Sequence, residues 1–357
     1  MEVAKQRLDG MTDGCLNLQE LGLTSLDWMI EHPKFSEIRK LICVDNQLTS
    51  LPKFPSLEFL DCRFNQLTSL PEYPLIKVVY CNHNQLTSLP KWPLVELIYC
   101  THNLLTSLPE YPLVKVVNCI DNQLTSLPKW PLVQEVYCTS NQLSSLPKWP
   151  LVWEMNCANN QLISLPAWPL VEEVYCTSNQ LTSLPKWPLV REVYCGSNQL
   201  ESLPEWPLVE EVHCDENELE SLPEWPLVRG VYCDNNQLTS LPRWPIVEEV
   251  YCGHNRLTWL PLWTLVQEVY CNDNLLPYTG SEYLTKLPKL KGLLSYLRSK
   301  AILAKWRKYT RTSVARKKEE IHQELKYSPD LPFIYRSLEA RHWLERVIEI
   351  GWRVRVK

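Results

Sequence analysis

Nowhere in these 357 residues does an apolar run approach the ~18 residues that a membrane-spanning helix needs. The opening stretch MEVAKQRLDGMTDG has no apolar core like that of a secretory signal, so a soluble protein on the cytosolic side is expected. No Cys-x-x-Cys pair occurs, which removes the usual spacing of a structural metal site. A glycine-rich phosphate loop, a metalloprotease helix and a hydrolase serine turn are missing too. No catalytic residue, cofactor or metal is therefore expected.

What is present is repetition. Asn recurs every 19 residues, from Asn46 through Asn160 to Asn274, with a Cys three residues before each, from Cys43 to Cys271. A fixed period of this length marks a solenoid, in which each unit is too small to bury its own apolar face and must stack on its neighbours. Function is then expected on a repeated surface and in the ends that do not repeat.

Charge divides along the same line. Residues 1–276 carry 17 basic and 33 acidic side chains, net −16, and residues 277–357 carry 19 and 8, net +11, giving the overall −5. An acidic array with a basic tail points to two different partners, or to a tail that folds back. Thirteen of the fourteen cysteines are placed by the repeat. Equivalent side chains of stacked parallel strands point the same way, so this ladder is expected to be reduced apolar filler in a reducing compartment.

One unit shows the pattern. Around Met155 and Cys157 the chain alternates with the period of a strand, turning Val152, Met155 and Cys157 inward and Trp153, Glu154 and Asn156 outward. Asn160 then turns the chain, its amide available to backbone groups left unpaired at the bend. Two prolines in four residues, Pro166 and Pro169, exclude a helix interior or a central strand. Polyproline geometry has three residues per turn, which puts Leu165, Trp168 and Val171 on one side, toward the core.

The unit matches LxxLxLxxNxL, with Cys at the third apolar position and Asn at the usual Asn position, and so resembles the leucine-rich repeat. Its LP-x-W-P back is similar to the short repeats of secreted bacterial type III effectors, in which LPxLP forms an extended convex side. This unit is one residue shorter, and Trp replaces the second Leu. It also looks like Cys- and Trp-rich arrays in large DNA viruses of amoebae. The resemblance covers about residues 16–276. It implies an α/β repeat solenoid: a leucine-rich repeat rod or horseshoe with a parallel sheet of one strand per repeat, a polyproline-II convex side and a helical C-terminal segment. A scaffold of this kind does not specify what is bound.

Stacking turns each repeat position into a column. Tyr137, Tyr175, Tyr194, Tyr232, Tyr251 and Tyr270 share the outward position before Cys, and Tyr80 and Tyr99 continue it. Glu135, Glu154, Glu173, Glu192, Glu211 and Glu249 share the position two residues earlier, with Glu268. The resemblance assigns both columns to the concave face, where this repeat generally binds proteins, and Tyr suits an interface. Stacked Tyr would also stabilise adjacent strands with no ligand at all. The acidity argues against nucleic acid on this side. The Trp column, Trp92 to Trp263, is read as core spine, each indole N–H needing a partner. His83 and His102, one repeat apart, make too few ligands for a metal site and are read as solvated.

The ends differ. Residues 1–40 are expected to be an N-terminal cap with a degenerate repeat, Leu18 in the Cys place and an inserted helical turn over Asp27 to Phe35. Residues 41–276 form the array, and 277–357 a basic, helical segment or cap with a second helix from Ile334 to Gly351. The main expectation is a non-enzymatic interaction scaffold with a protein partner on the Tyr/Glu face. An alternative is polyanion tethering, to nucleic acid or an anionic surface, through Lys305, Arg307, Lys308, Arg311, Arg316, Lys317 and Lys318. An effector-type ubiquitin ligase is disfavoured, because no Cys follows Cys271 to act as nucleophile.

Overall fold

The structure, a computed structural model, describes residues 1–286, 296 and 299–302. It divides into a unit Met1–Leu284 and a second, Thr285–Lys357, which holds few of the described residues. Fourteen three-residue strands among the described residues form one parallel sheet in sequential order, from Cys15–Asn17 and Lys40–Ile42 to Glu268–Tyr270. The register advances one repeat at a time, with Glu154 beside Glu173, Met155 beside Val174 and Asn156 beside Tyr175. The degenerate first repeat supplies the extra strand, Leu16 pairing with Leu41 and Leu18 buried at the Cys place.

Each strand is short because the coil turns at once. The residue before each Asn lies in the left-handed region at φ between 50° and 56°, as at Ser140 (55°), Asn159 (53°) and Ser178 (56°). Asn, Asp, Ser and His fill most of these positions, and polar side chains of this kind tolerate that conformation best after glycine. Asn160 then ties two coils together. Its Oδ1 accepts from the Leu143 N–H at 3.0 Å, and its Nδ2 donates to the carbonyls of Cys138, Cys157 and Ala158. The pattern recurs from Asn65 to Asn274, so the ladder runs from amide to backbone rather than from Asn to Asn.

The back carries neither helix nor strand. Leu165, Trp168 and Val171 are buried there while Ala167, Pro169 and Leu170 are exposed, the three-residue spacing of an extended chain. Trp130 to Trp263 stack as one continuous run of eight rings, ring centroids 5.8–6.4 Å apart. Each indole N–H finds its acceptor one coil back, as Trp168 Nε1 donates to the Pro147 carbonyl at 3.1 Å. Where Tyr replaces Trp the bond survives: the Tyr73 and Tyr111 hydroxyls donate to the Pro52 and Pro90 carbonyls, both at 3.2 Å.

The cysteines are free, and all but Cys15 are buried. Burial pushes the Cys119 and Cys157 thiols up to about 12, which suppresses the reactive thiolate. Titration of the native chain with an aromatic disulfide reagent should therefore label Cys15 rapidly and leave the ladder unreacted until denaturant is added. Rapid labelling of most of the cysteines before unfolding would contradict this burial.

At the start, helix Glu2–Asp9 buries Ala4 and Leu8. The insertion read as one helical turn forms two separate 3-10 turns, Asp27–Met29 and Phe35–Glu37, which Pro33 between them helps to separate. Phe35 packs on Phe54 at 4.8 Å and begins the aromatic spine. At the other end a short helix opens at residue 280. Tyr283 is buried edge-on against Trp263 at 6.0 Å, and its hydroxyl donates to the Pro261 carbonyl at 2.5 Å, as the next indole would. Gly280 is required there, because a Cβ would collide with the Val269 carbonyl.

Candidate partner-binding face

Each strand buries its second residue, and all but two leave the first and third on the solvent side, as in Glu173, Val174 and Tyr175, the exceptions being the buried Asp61 and Gly230. The outer face is thus two parallel columns of side chains, and the strand pitch brings members of a column to about 4.8 Å. In the third position Tyr175, Tyr194, His213, Tyr232, Tyr251 and Tyr270 form one unbroken stack, with ring centroids 4.0–4.8 Å apart. Tyr270 at its end is 49% exposed. Tyr137 stands outside this stack, between Asn118 and Asn156 in the register.

The first position places Glu135, Glu154, Glu173, Glu192 and Glu211 in one uninterrupted row; Gly230 breaks it before Glu249 and Glu268. Tyrosine hydroxyls donate into the row, Tyr194 to Glu211 at 3.1 Å and Tyr232 to Glu249 at 2.7 Å, while Tyr137 donates to Glu135 and Tyr175 to Glu173. The His213 ring lies 2.6 Å from Glu211. Partial burial and these carboxylates raise the hydroxyl pKa values well above the phenol range, so the tyrosines remain neutral donors. Glu154 and Glu192 titrate above the ordinary carboxylate range, first through burial and then through their acidic neighbours.

That shift has a testable sign. A carboxyl easier to protonate in the native state than in the unfolded one destabilises the fold above its native pKa and has no effect below the unfolded value. The pair Glu154→Gln and Glu192→Gln should therefore raise stability at pH 7 by about 1 kcal/mol, as expected when like charges facing across strands are removed. Chemical denaturation repeated at lower pH should show the gain shrinking as pH falls toward 4.5. An unchanged or lower stability at pH 7 would contradict this reading.

Three features of this face escaped the sequence reading. The first position carries Phe59, Val78, Leu97 and Val116 in the N-terminal half, so the face is apolar at one end and acidic at the other. Just before the strands a further column alternates in sign through Arg39, Glu58, Lys77, Glu96 and Lys115, then again from Glu172 through Arg191, Glu210 and Arg229 to Glu248. Its members bridge adjacent coils, for example Lys77–Glu58 at 2.7 Å and Arg229–Glu248 at 2.6 Å. The turn column stacks Phe64, His83 and His102 at 4.4 and 4.2 Å, and His102 meets Asp121 at 3.2 Å. Aligning the repeats from their first member would have shown all three. The basic residues Lys305 to Lys318 and the helix expected over Ile334 to Gly351 lie outside the described residues.

Among the described residues no cluster of three or more His, Cys, Asp or Glu is placed to hold a metal, and no helix is long and apolar enough to cross a membrane. No protein-family model and no curated protein matches the sequence. Solved structures do share this arrangement. Sequential one-strand coils, an Asn ladder and a 19-residue period make the chain a leucine-rich repeat solenoid. Within that class it is structurally similar to YopM, a leucine-rich effector protein from Yersinia pestis. The match has 26% identity and a TM-score of 0.60 over 76% of this chain and 93% of that one. A leucine-rich repeat protein from Leptospira interrogans aligns at 24% identity and a TM-score of 0.68, covering 76% and 81%. The functional domain of InlJ from Listeria monocytogenes, which includes a cysteine ladder, aligns at 18% identity and a TM-score of 0.50, covering 69% and 68%.

Proposed function

We propose that the chain is a non-enzymatic protein-interaction scaffold that holds its partner on the outer face of the sheet. The observation that carries this reading is the six-ring stack from Tyr175 to Tyr270, left on the solvent side beside a row of carboxylates. Stacked rings are rigid, so little side-chain entropy is lost when a partner covers them. The acidic row selects basic partners and speeds their encounter. The likeness to a leucine-rich effector protein supports an interaction role over catalysis.

Affinity capture with the intact chain, repeated with Tyr194, Tyr232 and Tyr251 all changed to Ala, tests the reading. Loss of the captured partner from a variant that keeps its circular dichroism is the expected result. Retention of every partner by that variant, with loss only on unfolding, would count against this face. Polyanion tethering through Lys305, Arg307, Lys308, Arg311, Arg316, Lys317 and Lys318 rests on their sequence charge and is compatible with this role.

A further inference from the structure

The back of the array is a second surface, and it carries its own pattern. Each coil places there a prolyl-leucyl pair or close equivalent, exposed or half-buried, and, three residues before the leucine, one variable residue. Three-residue periodicity puts that residue and the leucine on the same side of the chain. Leu113, Leu132, Leu151 and Leu170, in four successive coils, and Leu227 are each 36–41% exposed, while Leu189 and Leu208 between them are half-buried. A contiguous apolar row on a surface marks an interface. Its members recur once per coil, at the wider spacing of the back, where the Trp rings lie 5.8–6.4 Å apart. A second copy of the chain carries the same repeat, so coils on either side of a two-fold come into register.

Charge then selects one arrangement. The variable residues read Glu110, Lys129, Lys148, Ala167, Lys186, Glu205, Glu224 and Arg243, all exposed. When two backs face each other antiparallel about a two-fold axis in the contact plane, each column lies against its own copy. With that axis between the coils of Ala167 and Lys186, Glu110 meets Arg243, Lys129 meets Glu224 and Lys148 meets Glu205, with no like-sign contact among these eight positions. Half a coil to one side, Lys129 meets Arg243; half a coil to the other, Lys91 meets Arg243. Glu201 and Glu220, four residues before Glu205 and Glu224, add acidity on the side that faces the lysines.

A second observation marks the same place. Ile163 is 63% exposed where neighbouring coils carry Thr125, Ser144 and Thr182, and Ala167 stands where neighbouring coils carry charge. The array becomes apolar beside the axis that the charges select. We propose that the back between Glu110 and Arg243 is a self-association surface on which a second copy of the chain lies antiparallel, the two-fold passing between the coils of Ala167 and Lys186. The Pro-Leu row and Ile163 supply the apolar contact, and the flanking charges set its direction and register.

Sedimentation of the full chain at tens of micromolar and low salt should give twice the 41.8 kDa chain mass. K148E sets like charges against Glu205, and E205K sets like charges against Lys148, so each should associate at least about ten-fold more weakly. Both sites are exposed, so circular dichroism should be unchanged. Mixing the two variants should restore the doubled mass, because both cross-contacts then join opposite charges. A wild-type chain that sediments at the single mass, variants that associate as wild type does, or a mixture that stays at the single mass would each overturn the proposal.

Discussion

Trp168→Ala is expected to lower the unfolding free energy by about 3–5 kcal/mol, the usual cost of emptying a buried aromatic site. The indole is fully buried, stacks on Trp149 at 6.4 Å and Trp187 at 6.2 Å, and donates to the Pro147 carbonyl. Alanine leaves a cavity between two rings and a carbonyl without its donor. The chain itself indicates which replacement costs least. Tyr73 and Tyr111 occupy this column and keep the proline bond, so Trp168→Tyr should cost less than Trp168→Phe, which loses the donor and leaves the carbonyl unpaired. Denaturant midpoints for the three variants should fall in the order Tyr, Phe, Ala. An Ala variant within 1 kcal/mol of the parent would mean that the indoles are not the spine.

Asn160→Ala is expected to cost about 2–3 kcal/mol, although only a small side chain is removed. The change leaves the buried Leu143 N–H of the preceding coil without its acceptor and takes one of two donors from the Cys138 carbonyl, which keeps the Asn141 amide. A packing loss would stay within one coil, whereas this one loosens the seam between two. Asn160→Asp separates donor from acceptor. Its carboxylate can still accept from Leu143, but it offers nothing to three carbonyl oxygens and places a negative charge among them. The native state must then favour the protonated acid, so stability should recover as pH falls through the carboxylate range. Equal stability of the Asp variant at pH 7 and pH 4, measured against the parent at each pH, would contradict this account of the amide.

Much of this was legible in the residues. Alternation around Met155 and Cys157 and the three-residue spacing of Leu165, Trp168 and Val171 are local patterns that give inside and outside correctly. What lay hidden acts across coils. The acceptor for Trp168 is Pro147, 21 residues back, an offset of one coil and two residues that one repeat does not display. Asn160 reaches back to Leu143 and Cys138 for the same reason. The left-handed residue before each Asn was signalled by Asp45, His83, Ser140 and Asn159, but Phe64 at an equivalent place obscured the trend. On the outer face the Tyr and Glu columns were read, while Phe59, Val78, Leu97 and Val116 at the same strand position were not. The apolar end of the face was missed because the acidic end repeats more regularly.

Hydroxyl-radical footprinting of the native chain, read residue by residue, tests the inside-out assignment most directly. Trp149, Trp168, Trp187 and Trp206 should oxidise at background level, while Tyr251, Tyr270 and the 47% exposed Trp259 are modified readily. Trp259 serves as the internal standard, being the same chemical group in the same chain. Oxidation of the Trp149 to Trp206 column at the rate of Trp259, with Tyr251 and Tyr270 protected, would reverse the two faces and remove the basis for a binding surface on the sheet.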